Sequence, residues 1–214
     1  MRKTPKTEEM KIDMPFDDKI LMMVLIFKGS KRGWLGITKL QKLSFLIESF
    51  LLEKNQRAFS YEFFMYDQGP MSKEVYEDLE SLMDNGLVVE DEKGIRLSET
   101  GEDIISQFQE TIPKNISFAI DHIIGEYASL KTHALVDKVH KMKVRLPSGV
   151  VAKIGDLPRY CVLLPSSITT KLYKLGKEYL ETFRVLSDQQ LMKTLKKGRE
   201  KGSNCSEYKP LVSS

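Results

Sequence analysis

A chain of 214 residues, 41% hydrophobic and 29% charged with net charge +3, has the composition of a soluble globular protein with room for a sizeable core. Its one dense apolar run, Ile20–Phe27, falls far short of the ~20 residues a membrane span needs, so a buried helix is expected there. Residues 1–19 show no export signal, and two lone thiols, Cys161 and Cys205, point to a reducing cytoplasm without a disulfide framework.

The charge is unevenly spread. From Tyr61 to Ile112 three basic residues face fourteen acidic ones, a net of −11, which against +3 for the whole chain leaves +14 elsewhere. Such polarity bears on partners rather than on fold.

In chain order, residues 1–16 read as an N-terminal arm. Asp17–Lys28 predicts a first helix, apolar nearly all round. Ile37, Leu40, Leu43, Ile47, Phe50 and Leu51 recur at helical spacing and predict a second, with Thr38 and Gln41 in the form of a capping box. "AFSYEFFMYDQGP" predicts a short strand closed by a turn at Gly69-Pro70. Ser72 then suits a helix N-cap, and Val75, Leu79 and Leu82 make the apolar stripe of a third helix. Gly86 stands where a left-handed C-cap is wanted. "LVVEDEKGIRLS" predicts a hairpin turning through Gly94, and "ETGEDIISQFQE" a fourth helix that Pro113 ends.

Three helices, a hairpin and a further helix are the winged-helix order. "ITKLQKLSFLIESFLL", "YDQGPMSKEVYEDLESL" and "GLVVEDEKGIRLSETG" resemble the Panacea family of SocA-like antitoxin proteins and the related YwgA-like phage-associated proteins. Lys39-Leu40-Gln41-Lys42-Leu43 and Gly69-Pro70 with Val75-Tyr76 carry most of the resemblance, over Ile37–Phe108. Ser44-Phe45 and Gln68 depart from the family's pattern. The resemblance implies neutralisation of a toxin.

Beyond this domain, set at residues 17–112, a helical extension at 113–201 is expected. Helices are predicted at Ile116–Ser129 and at Thr132–Met142, the latter capped by Thr132. Residues 149–164 read as two strands broken at Gly155-Asp156, or as an extended arm. Ile168, Leu172, Leu175, Tyr179, Phe183 and Leu186 predict one long helix whose narrow seam suits a homodimer through residues 168–186. Ser187 with Gln190 has a second capping-box form, and residues 202–214 read as a disordered tail. The fold class is therefore mainly α with a small β-hairpin wing: a winged-helix domain plus a helical C-terminal extension.

No constellation for chemistry emerges. His122, His133 and His140 lack further ligands at metal spacing, no nucleotide-loop or nucleophile-elbow motif occurs, and no cofactor, metal or catalytic group is expected. The chain reads as a non-enzymatic regulator. A recognition helix needs Arg, Lys, Asn or Gln toward the bases. Here the third helix offers Lys73 against Glu74, Glu77, Asp78, Glu80 and Asp84, and the hairpin tip adds Glu90, Asp91 and Glu92. Each carboxylate near a phosphate raises the cost of approach. These eight acidic residues are instead candidates for binding a basic protein partner, a toxin by the resemblance. The alternative is a DNA-binding regulator that uses basic flanks: Lys28, Lys31 and Arg32; Lys138, Lys141, Lys143 and Arg145; Lys196, Lys197 and Arg199.

Overall fold

The computed structural model of the protein describes residues 16–166, 171–172, 177–188 and 190–193. It is mainly helical with small strand pairs. Helix α1 (Phe16–Ser30) carries the apolar run, and because that run has no polar side, every residue from Ile20 to Ile26 is buried. It lies at the centre, touching α3 (Lys73–Asp84), α4 (Glu99–Phe108) and α5 (Lys114–Tyr127).

Helix α2 (Ile37–Leu52) packs on α5 as its spacing predicts, but its start differs from expectation. Gly36 is the N-cap and no side chain caps it. Thr38 instead donates its hydroxyl to Gln68 Oε1 at 3.1 Å. The Gln41 amide turns inward, accepting from Ser72 N at 2.9 Å and donating to Ser72 O at 2.8 Å. Ser72 is buried, and the Gln41 amide satisfies both its backbone N–H and its C=O.

Strand β1 (Gln56–Arg57) is followed by a hairpin of β2 (Phe63–Tyr66) and β3 (Gly69–Met71). The reversal therefore falls at Asp67-Gln68, two residues before the expected turn, and Pro70 sits inside an edge strand, where a missing N–H is tolerated. Gly69 has φ +92°, and a Cβ there would stand 2.9 Å from His140 Nε2. Only glycine meets both conditions.

At the end of α3, Gly86 N donates to Met83 O and Leu87 N to Leu82 O, with Gly86 at φ +65°. This is the expected left-handed cap, in Schellman form. Strands β4 (Val88–Asp91) and β5 (Gly94–Leu97) make the expected hairpin, tied to the chain before α2 by Ile95 N donating to Leu35 O. Ser98 caps α4, accepting from Gly101 N at 3.0 Å.

In the second half, α6 (Thr132–Lys141) begins after Lys131, which holds the N-cap position without a side-chain bond, so Thr132 is its first turn and not its cap. Residues 149–164 are sheet and not a free arm. Strands β6 (Lys143–Arg145) and β7 (Val151–Lys153) pair, a 3-10 turn covers Ile154–Asp156, and β8 (Val162–Leu164) joins β2 on the side away from β3.

The single long helix at 168–186 is not formed. Leu172 lies in β9 (Lys171–Leu172), parallel to β1, and a helix, α7, runs only over Lys177–Ser187. Phe183 is buried edge-on against Phe108 at 5.7 Å, so the middle of the expected dimer seam serves this chain's own core. The cap after α7 is Asp188, whose carboxylate accepts from Gln190 N and Leu191 N, and not Ser187. The N-terminal arm over 1–15, the basic run with Lys196, Lys197 and Arg199, Cys205 and the tail at 202–214 lie outside the described residues.

Candidate functional site

The outward side of α3 carries Glu77, Glu80 and Asp84, all exposed, and the adjoining hairpin carries Glu90, Asp91 and Glu92 at its tip. Asp91 is engaged locally: Arg96 binds its Oδ2 at 2.7 and 3.0 Å and Lys93 N its Oδ1, which holds the carboxyl below its ordinary value. Glu74 is half-buried and accepts the Ser72 hydroxyl at 2.5 Å.

Asp78 is not part of that surface. It is buried, and Tyr61 donates its hydroxyl to Oδ2 at 2.8 Å. The cause is helical period: with Val75, Leu79 and Leu82, Asp78 fills the i, i+3, i+4, i+7 stripe that faces the core. Desolvation pushes its pKa up to about 6, against the opposing pull of the Tyr61 bond and of Lys19. Asp18 is similar, buried and accepting from Ser60 N at 3.0 Å and from the Ser60 hydroxyl, with burial raising it to about 7. Glu48 is fully buried and raised by desolvation. It is satisfied by Arg57 Nε at 2.8 Å and by the N–H groups of Ala58 and Phe59. A raised carboxyl pKa often marks catalysis, but these three are shut away from any substrate by their own protein partners.

The basic candidates are divided. Lys28 is paired with Asp121 at 2.6 Å and Lys138 with Glu126 at 3.0 Å, so α5 supplies a carboxylate to each run. Lys31 lies over the Phe27 ring at 3.4 Å, and Arg32 is exposed. Lys141, Lys143 and Arg145 are exposed, with Arg145 donating to Gly149 O. Along β6 and its flanks, Met142, Val144 and Leu146 pack against the core and, with Lys143 and Arg145, line a cavity of about 580 Å³ that Phe45 and Leu52 of α2 and Leu163 of β8 also line.

Among the described residues no group of three His, Cys, Asp or Glu side chains could hold a metal ion. His122 stacks on Phe118 and tilts against Phe50, while His133 is exposed. No helix of the described residues is long and apolar enough to cross a membrane.

Sequence reasoning gave the inward Lys39 and Lys42 of α2 no structural role and read Gln41 as part of a cap. Lys39 Nζ donates to Trp34 O and Ala128 O, both at 2.8 Å, and Lys42 Nζ donates to Pro70 O at 2.8 Å; burial lowers the Lys42 pKa to about 8. With Gln41 on Ser72, three polar positions of this helix fasten the C-cap of α5 and the stretch from Pro70 to Ser72 that leads into α3. The "KLQK" run thus builds the scaffold. Residues 40–144 match the family model described as the antitoxin SocA-like, Panacea domain.

The chain carries a SocA-like Panacea domain. No curated protein and no solved structure matches it. The match runs from α2 into β6, past the Phe108 limit of the sequence resemblance, and so takes in α5 and α6. The Lys39 bond lands on Ala128, the C-cap of α5, and α6 brings His140 against Gly69. The Panacea domain therefore includes the elements that lock its own sequence motifs.

Proposed function

We propose that this Panacea-domain protein is a regulator of antitoxin type that acts by binding, and that it engages a basic protein partner, a toxin, through the outward side of α3 and the β4–β5 hairpin. In this reading α1–α3 and the hairpin tied to Leu35 form a winged-helix arrangement turned from DNA to protein recognition. The observation that carries it is the outward set Glu77, Glu80, Asp84, Glu90 and Glu92, which no basic side chain neutralises among the described ion pairs. Such a face attracts a cationic partner and repels phosphate.

The test is retention of a partner from cell extract by the wild-type chain and by a Glu77→Lys/Glu80→Lys/Asp84→Lys variant. A basic protein held by the first and released by the second is expected; equal retention removes the acidic face from consideration. A second reading, DNA binding through basic flanks, draws on exposed Lys141, Lys143 and Arg145, which have no carboxylate at ion-pair distance among the described residues. Fluorescence anisotropy with mixed-sequence duplex at low and physiological salt separates the two. Absence of binding at low salt fits the protein-partner reading, whereas micromolar binding with a steep salt slope replaces it.

A further inference from the structure

The outer face of the β3-β2-β8 sheet is aromatic. Side chains alternate along β2, Phe63 and Met65 entering the core while Phe64 and Tyr66 stay outside. Tyr160, just before β8, lies beside them, with ring centroids 6.2 Å from Phe64 and 5.9 Å from Tyr66. Tyr160 is 66% exposed and sits at φ +65°, a left-handed conformation that a bulky side chain rarely adopts. Tyr160 N donating to Met65 O at 2.7 Å, and Met65 N to Cys161 O at 2.8 Å, hold it there. The fold thus keeps a large ring in water in an unfavourable backbone state.

This surface already seats one guanidinium. Arg159 lies over the Tyr66 ring at 4.7 Å and is paired with the Asp67 carboxylate. Next to it is a cavity of about 310 Å³ lined by Glu62, Phe64, Lys73, Glu74, Tyr160 and Val162. It repeats the same chemistry, aromatic rings with carboxylates beside them, without an arginine of this chain among its lining residues.

We propose that this cavity receives an arginine side chain of the partner protein, the guanidinium lying against Phe64 and Tyr160 and paired with Glu62 and Glu74. The proposal rests on the basic-partner reading above and deepens it, since the cavity adjoins the first turn of α3. A guanidinium suits the site better than an ammonium because it is planar, weakly hydrated and stacks on rings. Lys73 opposes it, but two carboxylates outweigh one ammonium, and an exposed lysine stem swings its charge into solvent. A stacked nucleobase would use the same rings, yet its phosphates would meet Glu62 and Glu74.

The first probe is acetyl-arginine methylamide, titrated into the full chain and followed by two-dimensional NMR. Saturable shifts at Phe64, Tyr160 and Val162 are expected, weaker with acetyl-lysine methylamide and absent with acetyl-citrulline methylamide, which has the shape without the charge. Tyr160→Gly removes the ring while giving φ +65° to the residue that tolerates it, so the variant should fold and bind the arginine probe about tenfold more weakly. Glu62→Gln should also weaken it. Equal response to arginine and citrulline, or an unchanged response in Tyr160→Gly, overturns the site. Partner retention then separates the two claims. A partner lost from both variants is expected; one lost from the Glu77→Lys/Glu80→Lys/Asp84→Lys chain but kept by Tyr160→Gly overturns the arginine pocket and leaves the acidic-face reading. A partner kept by both overturns both.

Discussion

Two sets of carboxylates lie on either side of α3. Outside are Glu77, Glu80 and Asp84, in water; beneath them are Asp18, Glu48 and Asp78, all buried. Glu77 and Asp78 are consecutive, yet helix geometry turns one to solvent and the other into the Val75–Leu82 stripe. A charge count along the sequence adds them equally. In the fold the outer group holds its charge in solvent, where the proposed partner would meet it, while the inner group supplies acceptors for Tyr61, Ser60 and Arg57 and has its pKa values raised by burial.

The largest effect is expected inside. Arg57 donates to Glu48, to Tyr61 O at 2.7 Å and to Pro165 O at 3.1 Å, so it ties α2 to the segment leaving β8. Arg57→Ala leaves Glu48 uncompensated at full burial and should cost about 3–5 kcal/mol in urea unfolding. A loss below about 1 kcal/mol would mean that Glu48 takes up a proton there without consequence.

The outer group should behave in the opposite way. Glu77→Lys/Glu80→Lys/Asp84→Lys should leave stability within about 0.5 kcal/mol per substitution. Its effect belongs to association, where like charges facing each other weaken the complex by about a hundredfold. Calorimetry of the partner and urea unfolding of the free chain, on the same variant, check both halves. A large stability loss without a change in affinity would invert the comparison.

How far this was legible follows from the same geometry. The central helix, the α3 cap at Gly86 and the β4–β5 hairpin were readable because each depends on neighbours in sequence: an unbroken apolar run, a left-handed glycine, a turn between β-prone runs. Asp78 was readable in principle, since it interrupts an apolar stripe at i+3, but the surrounding acidic residues masked that signal. Gln41 and Thr38 fit a capping box by spacing and were drawn away by Ser72 and Gln68, some thirty positions on. Leu172 kept a helical interval while pairing with β1, and β8 found β2 across about a hundred residues. Tertiary partners decide such cases, and local pattern carries no trace of them. Of the candidate site, the exposed carboxylates were visible; the aromatic cavity was not, because no sequence signal marks Tyr160 as left-handed.

Acid titration sharpens the inner half of the comparison. Asp18 has a folded pKa of about 7, above its ordinary 3.8, because burial disfavours the anion. Between those values the folded chain holds a proton that the unfolded chain has released, so stability falls as pH rises from about 4 to about 7 and then levels. Urea midpoints should therefore be higher at pH 5 than at pH 8, by about 2 kcal/mol in stability. Asp18→Asn, which keeps an acceptor for Ser60, should flatten much of that slope. A midpoint that rises toward pH 8 in the wild-type chain would show that Asp18 folds as a stabilised anion.

The finest distinction is between neighbours. Asp78 is raised from 3.8 to about 6. Between those values the folded chain holds a proton that the unfolded chain has released, so the cost to the fold grows up to about pH 6, being partly present at pH 5 and complete at pH 8. Asp78→Asn retains an oxygen for the Tyr61 hydroxyl and removes the buried charge. It should stabilise the chain by about 1 kcal/mol at pH 8, Lys19's lost attraction offsetting the rest, and by less at pH 5. Glu77→Gln, one residue away, should change stability at neither pH and should instead slow partner association at low salt, with the difference from wild type shrinking as salt is added. If Asp78→Asn slowed association as much as Glu77→Gln does, the charge of Asp78 would be reaching the partner through the helix. The division between field-bearing and fold-bearing carboxylates would then fail at the one place where two of them are adjacent in sequence.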